Sequence, residues 1–358
     1  MIEHDINKQL LRAQANGFQL EDQSELVQFG NVQPKLLTVL MGALSQVNNL
    51  SFRTDTFQYD LNKVTNQLPT GKSYSERGGD LGKDKPKTLR YEIGSKGLRF
   101  NVSPEDYIGR RKAGTSELLT SEDVVAGQNV KAAVAFELET ELEMGTLLTT
   151  DSNRTAGGPA LVYNFYTEIT GGARAAKINM NLAGAIDHIS SARKQRQALE
   201  AKVAEAGLTS VGFVMVCGSN YFDARYEIEK QETLARDLRS TVDLASQAVP
   251  TIDANGLRYD NFSSHDGINY IQYGSSIIGG TKIIGIEDAY LFPVISGDGL
   301  VKRGFSPAKT ATYANTEGQS MYSWMYEDEF EGVTAFYESN SLSMLPRPEL
   351  IAHLTSGV

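Results

Sequence analysis

The sequence predicts an α+β protein with two lobes, and two observations carry that reading. The C-terminal quarter holds short aromatic and β-branched runs at 267–273, 285–293, 313–324 and 332–354, punctuated by Gly, Pro and Asn in the manner of short strands. Upstream stands one well-marked helix. Thr120, Ser121, Glu122 and Asp123 offer an N-cap and first-turn acids that suit the positive end of the helix dipole. Val130, Val134, Leu138 and Leu142 then follow at i,i+4 spacing, with an end expected near Gly145 and a loop to Pro159.

Ahead of that helix, residues 51–59 (SFRTDTFQY) and 88–93 (TLRYEI) each alternate like a strand, the second with Leu89, Tyr91 and Ile93 on one side. Between them lies a polar stretch, 69–87, rich in Gly, Pro and charge. So long a loop argues against a compact domain unless it has a task of its own. Two such strands reach roughly 30 Å, and an isolated hairpin is marginal in water, so this one needs something to lie on. Residues 1–50 look helical in patches and poorly cored, with Leu36, Leu37, Leu40 and Leu44 as their clearest stripe. Such a segment could lie across a neighbouring molecule as easily as on its own domain.

After the helix, residues 161–169 (LVYNFYTEI) read as a strand packed on it. Ile186, Ile189, Leu199 and Val203 mark a second amphipathic helix, interrupted by the basic run Arg193, Lys194, Arg196. Residues 211–216 (VGFVMV) form a buried-type strand that turns through Cys217-Gly218-Ser219-Asn220 into a helix at Tyr221-Phe222-Asp223. In the final segment Val333, Ala335 and Tyr337 alternate; Pro346 and Pro348 should end the pairing and leave 349–354 as a short edge.

Composition narrows the function classes. Hydrophobic residues at 41% and charged residues at 22% are ordinary for a globular protein. The net charge of −10 disfavours a sequence-reading nucleic-acid binder, which needs a dense basic patch. No run reaches the roughly 18 apolar residues of a membrane span, and the N-terminus lacks an apolar signal core. The single cysteine, Cys217, can form no internal disulfide, and at the end of an apolar strand it reads as an inert thiol.

Motifs for catalysis fail one by one. Gly71-Lys72-Ser73 lacks the Gly five residues earlier that a phosphate loop requires, Asn66 standing there. The turn 217–220 lacks the three-glycine fingerprint, so capping by Ser219 or Asn220 explains it more simply. Glu137, Glu139, Glu141 and Glu143 alternate and cannot share one helix face as metal ligands; they read as a solvated or inter-subunit surface. His4, His188, His265 and His353 show no ligand spacing, and no Gly-x-Ser-x-Gly elbow is present. No catalytic residue, cofactor or metal is assigned.

The C-terminal segments resemble those of phage lambda-type major capsid proteins of the HK97-type fold. Phe292-Pro293 matches a family strand with a Phe-Pro pair, and 339–350 (SNSLSMLPRPEL) matches the final strand, with Ser341 where many relatives carry Pro. Cys217-Gly218-Ser219 with Phe222-Asp223 and Ala224-Arg225 is a second match. The resemblance runs from Ser51 to the C-terminus and is firmest at 211–225 and 267–354.

It implies a non-catalytic shell subunit of a tailed double-stranded DNA phage. The implied division is an N-terminal arm at 1–50, an extended β-hairpin loop at 51–103, a peripheral domain with a spine helix at 104–178, an axial domain at 179–289 and peripheral C-terminal strands at 290–358. Its main partner would be itself, in hexameric and pentameric capsomers, with room for decoration protein, portal and scaffold and none for a membrane. The DNA would be enclosed without sequence-specific binding. The charges of the extended loop, Lys72, Glu76, Arg77, Asp80, Lys83, Asp84, Lys85 and Lys87, are candidates for inter-subunit salt links that fix register, as are Arg110 and Arg111. The rival readings are a cytosolic α+β enzyme or ligand-binding protein with its site at 211–223, and a tail tube or sheath subunit.

Overall fold

The structure, a computed structural model, describes residues 48–61, 87–112, 114, 116–154, 161–182, 188–236, 251–252, 258–259, 267–273, 277–278, 281–295, 300–310, 312–328 and 332–357. In chain order come β1 (Asn48–Ser51), β2 (Thr56–Leu61), β3 (Lys87–Glu92), β4 (Ser95–Val102), α1 (Ser121–Thr150), α2 (Phe165–Thr170), β5 (Ile178–Asn179) and α3 (His188–Glu205). Then follow β6 (Ser210–Cys217), α4 (Ser219–Arg236), β7 (Thr251–Ile252), β8 (Arg258–Tyr259), β9 (Ile268–Gln272), β10 (Ile277–Ile278), β11 (Thr281–Lys282) and β12 (Asp288–Ile295). β13 (Lys302–Phe305), β14 (Tyr322–Asp328), β15 (Gly332–Met344) and β16 (Ala352–Thr355) complete the chain.

Two sheets organise these elements. Among the described residues, the first is centred on β15, which pairs antiparallel with β4, β14 and β13, while β1 adds parallel to β13. α1 lies on it: Ala132 and Phe136 meet Ala335, Tyr337 and Phe100. The second runs β5-β16-β12-β6-β9-β8-β7, with β6 and β9 parallel and joined through α4. A single buried cluster joins both sheets, taking Leu147 and Leu148 from α1, Val214 and Phe292 from the second sheet and Leu342 and Met344 from the first.

The long helix starts where expected and with the expected cap. Of the stripe Val130, Val134, Leu138 and Leu142, however, only Leu142 is buried, and Ala132 and Phe136 make the contact with the first sheet. Thr120 is its N-cap, with Asp123 closing a reciprocal capping box. It does not end near Gly145 but continues to Thr150. The hydroxyls of Thr146, Thr149 and Thr150 donate to the carbonyls four residues back at 2.8, 2.9 and 2.8 Å. Asp151 then turns left-handed at φ 55° to cap the helix, its N–H on the Leu147 carbonyl at 3.1 Å. With 30 residues the helix is about 45 Å long.

Three other expectations are corrected. Residues 161–169 are not a strand: the Asn164 side chain accepts from the Thr167 N–H at 3.0 Å and starts α2, which Gly171 ends at φ 75°. A local cap has outweighed β propensity there. The 51–59 run breaks in two, because Phe52 leaves the strand direction to bond Phe305 and Gly318 through its backbone, its N–H donating at 2.9 Å and its carbonyl accepting at 2.9 Å. The C-terminal segment is not an edge either. After Pro346 and a 3-10 turn at Pro348–Leu350, the chain enters the second sheet, where β16 pairs between β12 and β5.

The basic run 193–196 sits within an unbroken α3, with Arg193 and Lys194 facing solvent. Pro293 lies inside β12, beyond the four residues that β16 pairs. One side of the strand is open there, where a residue without an N–H can sit in a ladder.

Candidate functional site

The base of the extended hairpin is built into the body. β2 and β3 pair antiparallel from Thr56↔Glu92 to Leu61↔Lys87. Their alternation puts Phe57, Leu61, Leu89, Tyr91 and then Ile93 into the shared core. Tyr91 meets Tyr163 and Phe165 with ring centroids 4.8 and 5.3 Å away. The Tyr163 hydroxyl accepts from the Glu92 N–H at 3.0 Å, and Lys87 Nζ donates to the Glu168 carbonyl at 2.8 Å. Each of these buried apolar side chains is worth roughly 1.5–3 kcal/mol, so the stem is held as firmly as any core element. What the hairpin needs to lie on is thus supplied at its base by α2 and the residues before it.

Of the loop charges singled out in the sequence, Lys87 alone is placed, and its ammonium is used within the chain. Lys72, Glu76, Arg77, Asp80, Lys83, Asp84 and Lys85 lie outside the described residues, as do Gly71-Lys72-Ser73 and residues 1–47. Arg110 and Arg111 are both exposed on a short hairpin just before α1.

The row of glutamates on α1 is not a solvated surface. Glu137 is exposed, but Glu141 and Glu143 are 0% and 1% exposed, because α1 is covered on every side from Thr140 to Gly145. Glu143 accepts the Ser343 N–H at 2.7 Å and Lys96 Nζ at 3.2 Å, and Arg303 lies close enough to act on it electrostatically. Burial by itself would raise its pKa; Lys96, Arg303 and the Ser343 N–H outweigh that and hold it below the usual carboxylate range. Arg303 donates to Thr140 Oγ1 at 2.8 Å, and Tyr273 donates its hydroxyl to Glu141 at 3.2 Å. These ion pairs and hydrogen bonds fasten α1 to β4, β13, β15 and the end of β9. Their signal in the sequence is faint: cations set among strand residues, as at Lys96 and Arg303.

A second polar cluster joins the end of α1 to the other sheet. Arg174 donates to the carbonyls of Leu148 and Thr149 at 3.2 and 3.1 Å and stands 3.4 Å from Asp151. Burial pushes Asp151 up to about 6, against the pull of Arg174. His353 stacks on Tyr290 and lies 3.5 Å from Asp288; burial pulls it down to about 4 despite that carboxylate.

The strand-turn-helix at 210–223 is present, and two of its backbone donors bond within the chain. Gly218 N–H donates to the Asp288 carbonyl at 2.8 Å and Tyr221 N–H to the Ile286 carbonyl at 3.1 Å. A side chain at Gly218 would strike the backbone of Gly285 and Ile286. The turn is thus a close packing joint against 285–288. Cys217 is fully buried and its pKa is raised by that burial, as an inert thiol requires. Among the described residues no group of His, Cys, Asp and Glu has the makings of a metal site.

A long helix laid across one sheet, a second sheet sharing its core and a hairpin stem set into the seam between them make up an α+β fold that solved structures share. In particular, the chain resembles the protein assigned as the capsid protein of a prophage of E. coli CFT073, with a TM-score of 0.54 and 13% identity over 99% of both chains. The capsid of cyanophage P-SCSP1u is similar at a TM-score of 0.49 and 9% identity over 86% of each chain. The mature capsid of bacteriophage PhiM1 gives 0.48 and 9%, over 88% of this chain and 86% of that one. No protein-family model and no curated protein matches the sequence.

Proposed function

We propose that this chain is the major capsid protein of a tailed double-stranded DNA phage, a virion subunit that assembles into hexamers and pentamers of an icosahedral shell without catalysis or cofactor. The observation that carries this reading is the end-to-end likeness, over 99% of both chains, to a fold whose solved example is assigned as a capsid protein. The hairpin supports it. Its stem, Thr56–Leu61 paired with Lys87–Glu92, is buried in the core and would give such an arm a fixed base. In this reading residues 1–50 form a second arm, 51–103 the extended loop, 104–178 and 290–358 the peripheral domain and 179–289 the axial domain. β12 and β16 carry peripheral sequence into the axial sheet.

The mechanism is geometric. Heterologous contacts around the axial domains close rings, and the arms tie rings together over areas larger than a compact body offers. Charges on the loop, from Lys72 to Lys85, set the register of those contacts, and the acidic subunit encloses DNA without gripping it. Decoration protein, portal and scaffold are the further partners that such a shell would take.

Electron microscopy and sedimentation of the purified protein test the reading. Shells or capsomers are expected. A small closed oligomer that binds a nucleotide or metabolite would overturn it in favour of a ligand-binding protein.

A further inference from the structure

We propose that the hairpin at 104–119 is a preformed docking prong, which sets Ile108, Leu118, Arg110 and Arg111 against a second copy of this chain. The inference rests on the shell-subunit reading and adds to it a contact surface outside both arms.

The segment's order is unusual for what it buries. No described residue from 103 to 120 is buried, yet backbone hydrogen bonds join its two described limbs, 103–112 and 117–119. Ile108 N–H donates to the Pro104 carbonyl at 3.0 Å, Lys112 N–H to Glu117 at 3.0 Å and Leu119 N–H to Arg110 at 2.8 Å. A capping box between Ser103 and Asp106 fixes one end. Lys112, 3.1 Å from Asp123, ties the other to the first turn of α1. This rigid hairpin exposes two large aliphatic side chains, Ile108 at 69% and Leu118 at 63%. Holding them in water gains the isolated chain nothing, whereas a preorganised apolar pair lowers the ordering cost of binding.

The charges narrow the partner. Arg110 and Arg111 are exposed and have no ion-pair partner among the described residues. Glu105, Asp106 and Glu117 interleave with them, which spoils the hairpin as a site for a nucleic-acid backbone. A protein surface with carboxylates around an apolar recess fits better. The chain itself, with 44 acidic residues against 34 basic ones, supplies unmatched carboxylates. Within the shell reading the contact is heterologous, the kind that closes rings.

The test compares the full-length wild-type chain with I108D/L118D and R110E/R111E by sedimentation and electron microscopy. Both variants should keep the wild-type circular dichroism and melting temperature, since the altered side chains are not buried, and both should lose shells. A single-cysteine probe guards against misfolding: with Cys217 buried, maleimide on I108C reads that position alone. It should react in dissociated subunits and lose reactivity on assembly. Wild-type shell yields from both variants, or equal labelling of I108C in shells and subunits, overturn the prong. A wild-type chain that forms no assembly overturns the shell reading itself.

Discussion

Glu143 shows how much a single residue can hold. Its carboxylate is the common acceptor for Lys96 from β4 and the Ser343 N–H from β15, next to Arg303 from β13. Glu143→Ala should cost about 3–5 kcal/mol in urea unfolding, because it strands buried cations rather than simply deleting an attraction. A loss under about 1 kcal/mol would mean that water reaches the site. Asp151 gives a prediction in pH. Its folded pKa is raised to about 6, so the folded state holds the proton longer than the unfolded chain does. The carboxyl's contribution is therefore full below about pH 4 and is lost as pH rises towards 6. His353, pulled down to about 4, acts oppositely: its contribution is lost as pH falls from about 6.5 towards 4. The two nearly cancel in the wild type. Asp151→Asn leaves the histidine alone, so its stability should climb between pH 4 and 6.5 by about 2 kcal/mol relative to wild type. Parallel pH profiles for the two proteins would sink this assignment.

At the scale of elements, the stem of the hairpin belongs to the core. Replacing residues 62–86 with an Asn-Gly turn keeps the Leu61↔Lys87 end of the ladder and every buried stem residue. The product should be soluble, with a melting temperature near wild type, and should fail to form shells. Normal particles from it would remove the arm from the assembly mechanism. Phe57→Ala tests the stem instead. It empties a fully buried site against Gly304 and should cost about 3–5 kcal/mol. Much of this was legible in the sequence. The alternation of Leu89, Tyr91 and Ile93 and the capping box of α1 are local signals, and both are where the pattern puts them. The strand expected at 161–169 failed because one hydrogen bond at Asn164 decides between two conformations that the apolar residues alone do not separate.

At the scale of the whole molecule, the C-terminus is a stitch between sheets. β15 belongs to the first and β16 to the second, where it holds four residues of β12 on one side and β5 on the other. A chain ending at Ile351 should be found mostly in the insoluble fraction, since it opens β12 and strips Leu354 from a buried cluster. A soluble, assembling protein of that length would show that the second sheet stands without its stitch.

What the sequence by itself determined is whatever depends on neighbours along the chain: the α+β class, the capped helix, the alternating stem, the strand at 211–216 with its turn, buried only from Phe213 onward, and the poverty of catalytic motifs. The tertiary structure alone decided the environment of each charge. Glu141 and Glu143 sit at the same two-residue spacing as Glu137 and Glu139, and no local pattern separates them. They are buried because two sheets, drawn from segments between 47 and 200 residues away, close around α1 there. The path of the C-terminus was decided in the same way. Pro346 ends a strand in any context, but which sheet takes the next one depends on where an edge stands open beside β12. Burial and pairing are properties of the assembled chain, and a residue's sequence neighbours do not carry them.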